Sequence, residues 1–296
     1  MEEGSGMQAR SSTNVKGIDV SHWQGAIDWS KVATDGVKYV FIKATEGVSG
    51  VDSRLWANAL AASSAGIKVG YYHYARPENN NDAVKEARHF ASTVAGYPCQ
   101  WPLVLDVEGE ASKLGARALT QWCAAFLTEL ERASGRRAMI YSGASFARTY
   151  LGKELAGWPL WIAHYSVDKP MDNSTWDRWA IFQYSDKGRV AGIAGNVDLN
   201  AMEAEFYGRY AEEDEPMTKE EREAFEQLSA QVAQLAGTVD SLTKQLESAT
   251  AKIPAPKWFV SEFGESVVAQ MSDPTGTMEF WRAVAVSLRT MGYQKV

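Results

Sequence analysis

The sequence is short of the residues that staple small secreted folds or build metal centres. Its two cysteines, Cys99 and Cys123, are too few for a disulfide framework or a zinc site. Cys99 precedes a predicted strand and Cys123 lies in the helix after it, so two free thiols are expected. The four histidines show no metal-ligand spacing, and neither a metal nor any other cofactor is expected. Positive charge is also in deficit. Thirty Lys and Arg stand against 37 Asp and Glu, a net charge of −7 with a pI near 5.3. No basic stripe interleaved with aromatics offsets that balance, which argues against a general nucleic-acid binder. No apolar run reaches membrane-spanning length, so no membrane insertion is expected. Residues 1–16 are polar, acidic at their start, and lack the apolar segment of a signal peptide. The expectation is a protein made in a cytoplasm and released by something other than its own leader.

What is abundant is apolar and aromatic material. Hydrophobic residues make up 45% of the chain, with eleven Trp and twelve Tyr. At 296 residues the chain can hold one large domain, or a medium domain with an appendage. Rings in such number are common where sugars or flat ligands stack, although most of them serve as core.

The chain is organised around Val104-Leu105-Asp106-Val107-Glu108-Gly109. In a strand, residues two apart share a face, so Asp106 and Glu108 would face one pocket with Cα atoms about 6.6 Å apart. Two such acids cannot ionise independently, and one pKa is expected to rise toward the range a general acid needs. Further strands are predicted at 16–21, 39–47, 68–74, 137–142, 160–165, 180–184 and 196–200. Helices are predicted at 54–65, 83–95 and 119–134, and a short one is capped by Asp28. Strands alternating with helices over some 190 residues point to parallel βα units closed into a barrel. Short later connections predict a distorted barrel with some helices missing. Asp19, Glu46, His73, Asp106, Glu108, Tyr141, His164 and Gln183 all fall at or near strand ends, which converge on one face of such a barrel.

Five strings carry a family resemblance. They are Gly17-Ile18-Asp19-Val20-Ser21-His22-Trp23-Gln24-Gly25, Phe41-Ile42-Lys43-Ala44-Thr45-Glu46-Gly47, Gly70-Tyr71-Tyr72-His73-Tyr74, Leu105-Asp106-Val107-Glu108 and Asn196-Val197-Asp198-Leu199-Asn200. In this order and spacing the chain from about Val15 to Tyr207 resembles the glycoside hydrolase family 25 lysozymes, the Chalaropsis type common among phage endolysins and bacterial autolysins. The resemblance implies an irregular (β/α)8-type barrel that cleaves the β-1,4 bond from N-acetylmuramic acid to N-acetylglucosamine in bacterial peptidoglycan. It implies Glu108 as the general acid and Asp106 as the carboxylate that steadies positive charge or orients the acetamido group. Asp19 and Asp198 would complete an acidic floor. A retaining reaction is implied, through either a carboxylate nucleophile or the substrate's own N-acetyl group. Glu46, Tyr72, Tyr74, Tyr141, Trp161, Tyr165 and Gln183 are the candidate substrate contacts, the aromatics as sugar platforms. For a phage lysin without a signal peptide, holin-dependent release from the host cytoplasm is expected.

Beyond the barrel the composition changes. The expected organisation is a disordered lead over 1–14, a catalytic barrel over 15–210, a charged linker and coiled-coil helix over 211–253, and a small, mainly helical module over 254–296 that could bind the wall. Phe225, Leu228, Val232, Leu235, Val239, Leu242 and Leu246 recur at alternating steps of three and four. Such a seam, with β-branched residues at one position and Leu at the other, favours self-association over 225–246 as a parallel two-stranded coil. The alternative is one amphipathic helix lying on the barrel. Glu213 and Asp214, shortly before Met217, are compatible with a purine-rich ribosome-binding sequence and an internal start. Two rival functions stand beside the muramidase: a catalytically silent wall-binding or structural barrel, and a hydrolase of another N-acetylated glycan.

Overall fold

A computed structural model of the chain describes residues 6–78, 82–211 and 219–293. It divides into two units, Met1–Pro216 and Met217–Val296. In chain order the first unit contains β1 (Val15–Val20), α1 (Trp29–Thr34), β2 (Tyr39–Glu46), the two-residue β3 (Gly50–Val51), α2 (Leu55–Ser64), β4 (Lys68–Tyr74), α3 (Ala83–Val94) and β5 (Leu103–Asp106). It continues with α4 (Ala116–Ser134), β6 (Ala138–Gly143), α5 (Ala144–Tyr150), β7 (Leu160–Ala163), β8 (Ile181–Gly188), β9 (Val197–Met202) and α6 (Ala204–Ala211). Pairing runs β1-β9-β8-β7-β6-β5-β4-β2 and closes where β1 pairs with β2, giving an eight-stranded barrel. β3 hangs on the far end of β2.

The unbroken apolar runs of these strands reflect burial on both faces. Along β2, Tyr39 and Phe41 join Trp101, Val104, Met139 and Trp161 in one core cluster, the barrel interior. Val40 and Ile42 belong to a second cluster with Ala59, Phe90, Phe126 and other helix residues. The interior is filled tightly enough to dictate a glycine. Gly17 is the register partner of Tyr39, and a Cβ there would lie 2.1 Å from the Tyr39 ring. The helices start and stop on ordinary signals: Asp28 accepts from the Lys31 amide at the start of α1, and Gly135 ends α4 in the left-handed region.

Two expectations are corrected. The barrel is not wholly parallel: β9 runs antiparallel to both β8 and β1, whereas the other barrel pairs are parallel. β8 passes to β9 without a helix, and so short a return can only join antiparallel strands. Nor is all of 1–14 a disordered lead. Residues 1–5 lie outside the described residues, but Met7 is buried in the outer core. Gln8 makes a reciprocal pair with Trp179, its side-chain oxygen accepting from the Trp179 amide at 3.1 Å and its amide nitrogen donating to the Trp179 carbonyl at 2.7 Å.

The second unit comprises α7 (Lys219–Thr250), β10 (Ile253–Pro254), α8 (Lys257–Phe263), α9 (Glu265–Ala269), β11 (Thr275–Gly276) and α10 (Met278–Thr290). Its small core holds Phe259, Phe263, Val267, Trp281 and Ala285, with the Trp281 indole donating to the Ile253 carbonyl at 3.1 Å. On α7, Leu228, Leu235, Val239, Leu242 and Leu246 are 50–64% exposed. The Phe225 side chain lies outside the description. No helix among the described residues is long and apolar enough to cross a membrane.

Gly17→Ala should destabilise the barrel by about 1–3 kcal/mol, the usual cost of overpacking a filled interior. Urea unfolding of the variant beside wild type checks it.

Candidate active site

The carboxyl ends of the parallel strands and the amino end of β9 meet on one face of the barrel. This places Asp19, near the end of β1, directly opposite Asp198, second residue of β9. Between them and the end of β5 lies a cavity of about 250 Å³. Asp19, Asp106, Glu108, Asp198, Tyr72, Tyr74, Tyr141, Trp161, Tyr165 and Gln183 all line it, together with Ser21, Trp23 and Lys43. Glu46 does not line it, and neither do His73 and His164.

The floor is a hydrogen-bonded frame around Asp19. Gln183 Nε2 and Asn200 Nδ2 both donate to Asp19 Oδ2, at 2.8 and 2.7 Å. Each amide is oriented by what its oxygen receives. The Tyr141 and Tyr165 hydroxyls donate to Gln183 Oε1, both at 2.8 Å, and the Trp161 indole donates to Asn200 Oδ1 at 2.8 Å. With the carbonyl ends occupied by donors, the NH2 ends must face the carboxylate.

Asp106 and Glu108 reach the cavity from consecutive alternate positions. Backbone bonds hold the strand end on both sides, from Ala75 N to Asp106 O at 2.9 Å and from Val107 N to Tyr141 O at 3.0 Å. Glu108 remains extended and immediately precedes a short 3-10 turn, Gly109–Leu114, without a side-chain bond to it. That turn opens at φ 56° on Gly109, a backbone state open to glycine at little cost. Asp106 is buried, and its Oδ1 has no hydrogen-bond partner among the described residues.

Burial raises the proton affinity of all four acids, and it is the largest cause for each. For Asp106, which is lifted well above the usual carboxylate range, the charges of Glu108 and Asp19 add to burial. Glu108 is raised by burial and then by Asp198, against the opposing pull of Lys43 and Arg76. Asp198 is pushed up to about 8 by burial and the Asp19 charge. Asp19 is raised by burial against its Asn200 and Gln183 bonds. The rise expected from mutual repulsion of Asp106 and Glu108 is therefore present, but loss of water leads it. Protonated and ionised carboxyls side by side near neutrality are what proton donation to a leaving oxygen requires.

The remaining candidates sort by contact. Glu46 is held by Lys43 at 2.6 Å and by Arg76 at 2.8 Å. His73 turns outward from β4, between Thr45 at 2.8 Å and Glu86 of α3 at 2.7 Å, because Tyr72 and Tyr74 take the inward positions on either side. His164 Nδ1 accepts from the Met171 amide at 3.2 Å. Trp161 is 2% exposed and packs on Phe41 and Tyr141, so it forms floor, whereas Tyr165 is 39% exposed. Trp23, 81% exposed, is the open ring at the mouth. It leans on His22, which Asp52 anchors through Nδ1 at 2.7 Å. Asn200, Trp23 and Lys43 were not singled out from sequence. Asn200 sits two residues past Asp198 and so on the same face. Lys43 is a charge inside an apolar strand, and either signal could have marked them. Among the described residues, no group of three or more His, Cys, Asp or Glu is arranged to hold a metal ion. A second cavity, lined by Trp158, Trp176, Arg178 and Glu203 among others, lies by the amino ends of β7 and β8, the face where barrels carry stability rather than chemistry.

Because folding raises the Asp198 pKa from 3.8 to about 8, the folded state holds a proton that the unfolded chain has released. Stability should therefore fall as pH rises across that window. Asp198→Asn should flatten this fall and leave the variant more stable than wild type at pH 8, as urea unfolding at pH 5 and pH 8 would show.

Residues 18–193 match the family model described as glycosyl hydrolases family 25. Lysozyme M1 of Streptomyces globisporus is 38% identical over 200 residues, covering 64% of this chain and 68% of its own. The bacterial lysozyme from Streptomyces coelicolor has a TM-score of 0.62 at 36% identity, over 68% of this chain and 96% of its own. The CTP1L endolysin gives 0.61 at 30% identity, over 68% of this chain and 71% of its own. With the matched segment lying wholly within the barrel unit that carries the four acids, this chain belongs to glycosyl hydrolase family 25 and is a glycosidase.

Proposed function

We propose that this glycosidase is a muramidase of the phage endolysin kind, cleaving peptidoglycan between N-acetylmuramic acid and N-acetylglucosamine. The observation that carries the reading is Glu108 beside Asp106 at the barrel mouth, its proton affinity raised by burial and the Asp198 charge. Glu108 protonates the leaving glycosidic oxygen. The unpartnered Oδ1 of Asp106 accepts the acetamido N–H of the sugar, which favours the route assisted by the substrate's own N-acetyl group over a carboxylate nucleophile. Asp19, fixed by two amide donors, supplies negative potential beneath the oxocarbenium-like sugar, and Asp198 beside it holds its proton up to about pH 8.

The endolysin role draws on likeness to the CTP1L endolysin, whose activity is regulated by a secondary translation product. Here an internal start at Met217, itself outside the described residues, would yield the second unit alone. In this reading the lysin is made in the host cytoplasm and reaches the wall on holin-dependent release. The exposed stripe of α7 pairs with the same stripe of a second copy in a parallel coil, and the core after it forms a wall-binding module.

Digestion of purified peptidoglycan should release fragments with reducing N-acetylmuramic acid ends, read by mass spectrometry. Glu108→Gln should lower that release by about two to four orders of magnitude. Release from chitin instead would point to the other-glycan hydrolase, and no release from either to a silent barrel. Sedimentation should find self-association in the full chain and its loss in Leu235→Glu/Leu242→Glu. Expression of the native reading frame should give a second band beginning at Met217, absent in Met217→Leu.

A further inference from the structure

The cavity is not uniformly acidic. Among the described residues that line it, Lys43 is the one cation, and Arg76 stands just outside it. Both grip Glu46, one on each carboxylate oxygen. Both also lie over the Tyr74 ring, with Lys43 Nζ 4.9 Å and Arg76 Cζ 4.6 Å from its centre. Tyr74 itself lines the cavity, so the two cations mark one wall, on the Glu108 side. Glu46 neutralises one of them and leaves a net positive charge.

The guanidinium is only partly used. Its Nε donates to Glu46, while its terminal nitrogens donate to no described residue and the side chain remains 46% exposed. Glu46 and Tyr74 hold the group in one orientation, so its free edge is set before any ligand arrives, which lowers the cost of binding. A fixed fork with two unused donor nitrogens matches a carboxylate.

A ligand carrying negative charge would be repelled by the acids of the floor that are ionised, unless its charge lay on this wall. The muramidase reading supplies such a ligand, because the muramic sugar bears a peptide with free carboxylates and the neighbouring glucosamine sugar does not. Resting on that reading, we propose that Arg76, with Lys43 behind it, binds a carboxylate of the stem peptide. The contact would set which sugar lies on which side of Glu108, keeping the charged substituent away from Asp19 and Asp198.

The test uses the full chain and two forms of one wall preparation: native peptidoglycan, and the same material with its carboxylates capped as methylamides. Wild type should cleave the native form with kcat/KM about tenfold higher, the lower end for a hydrogen bond to a charged group at a part-exposed site. Arg76→Gln should lose about that factor on native wall and cleave both forms alike, because the contact that distinguishes them is gone. Arg76→Lys, which keeps the charge, should keep a preference of the same sign. A wild type indifferent to capping would overturn the proposal. So would an Arg76→Gln enzyme that is slower on both forms yet retains the wild-type preference, since Arg76 would then serve only the fold. Failure of wild type to release muropeptides from either form would sink the muramidase reading itself, a different result from both.

Discussion

Everything at the barrel mouth depends on one buried carboxylate, Asp19. It lies beneath three further acids with two amide donors on a single oxygen. A buried charge is tolerated only when it is paired or hydrogen-bonded, and here the pairing is done by neutral groups. Each amide is locked from behind by a Tyr or Trp donor. The frame therefore stabilises negative charge without bringing a cation into the floor. A cation there would pull down the proton affinity of Glu108, the group that must donate. The cations that are present sit on the wall, half-neutralised by Glu46.

Barrel closure supplies this frame from segments far apart in sequence. Asp19 comes from β1, Gln183 from β8, Asn200 and Asp198 from β9, and Asp106 from β5. The antiparallel course of β9 matters most. A parallel ninth strand would carry Asp198 to the opposite end of the barrel. Run in reverse, its amino end arrives beside the carboxyl end of β1, opposite Asp19. The strand that breaks the parallel rule thus completes the acidic set.

The strands and the acids were legible because both depend on local alternation. β4 spans Lys68–Tyr74 as its pattern predicts, and the acid-apolar-acid step of β5 turns both carboxyls to one cavity. Strand direction was not legible, since an apolar run reads the same either way and only the connection length decides it. His73 misled because it stands at a strand end, yet the rings of Tyr72 and Tyr74 occupy the inward positions and leave it to Glu86. Trp23 escaped because most tryptophans are core. Its exposure follows from the short capped turn in which Ser21 and Gln24 bond each other, a local arrangement that the Ser-x-x-Gln spacing could have marked. Met7 and Gln8 read as a polar lead because the surfaces that receive them, around Trp179 and Asp172, lie more than 160 residues away in sequence.

The central claim is that burial, before any substrate arrives, keeps protons on acids at the barrel mouth near neutral pH. A carboxyl-carbon NMR titration of the free enzyme, assigned with Asp198→Asn and Glu108→Gln, tests it most directly. The account predicts that Asp198 titrates near 8 and Glu108 above the ordinary glutamate value. Titration of both between about 3.5 and 4.5, as in model peptides, would contradict it.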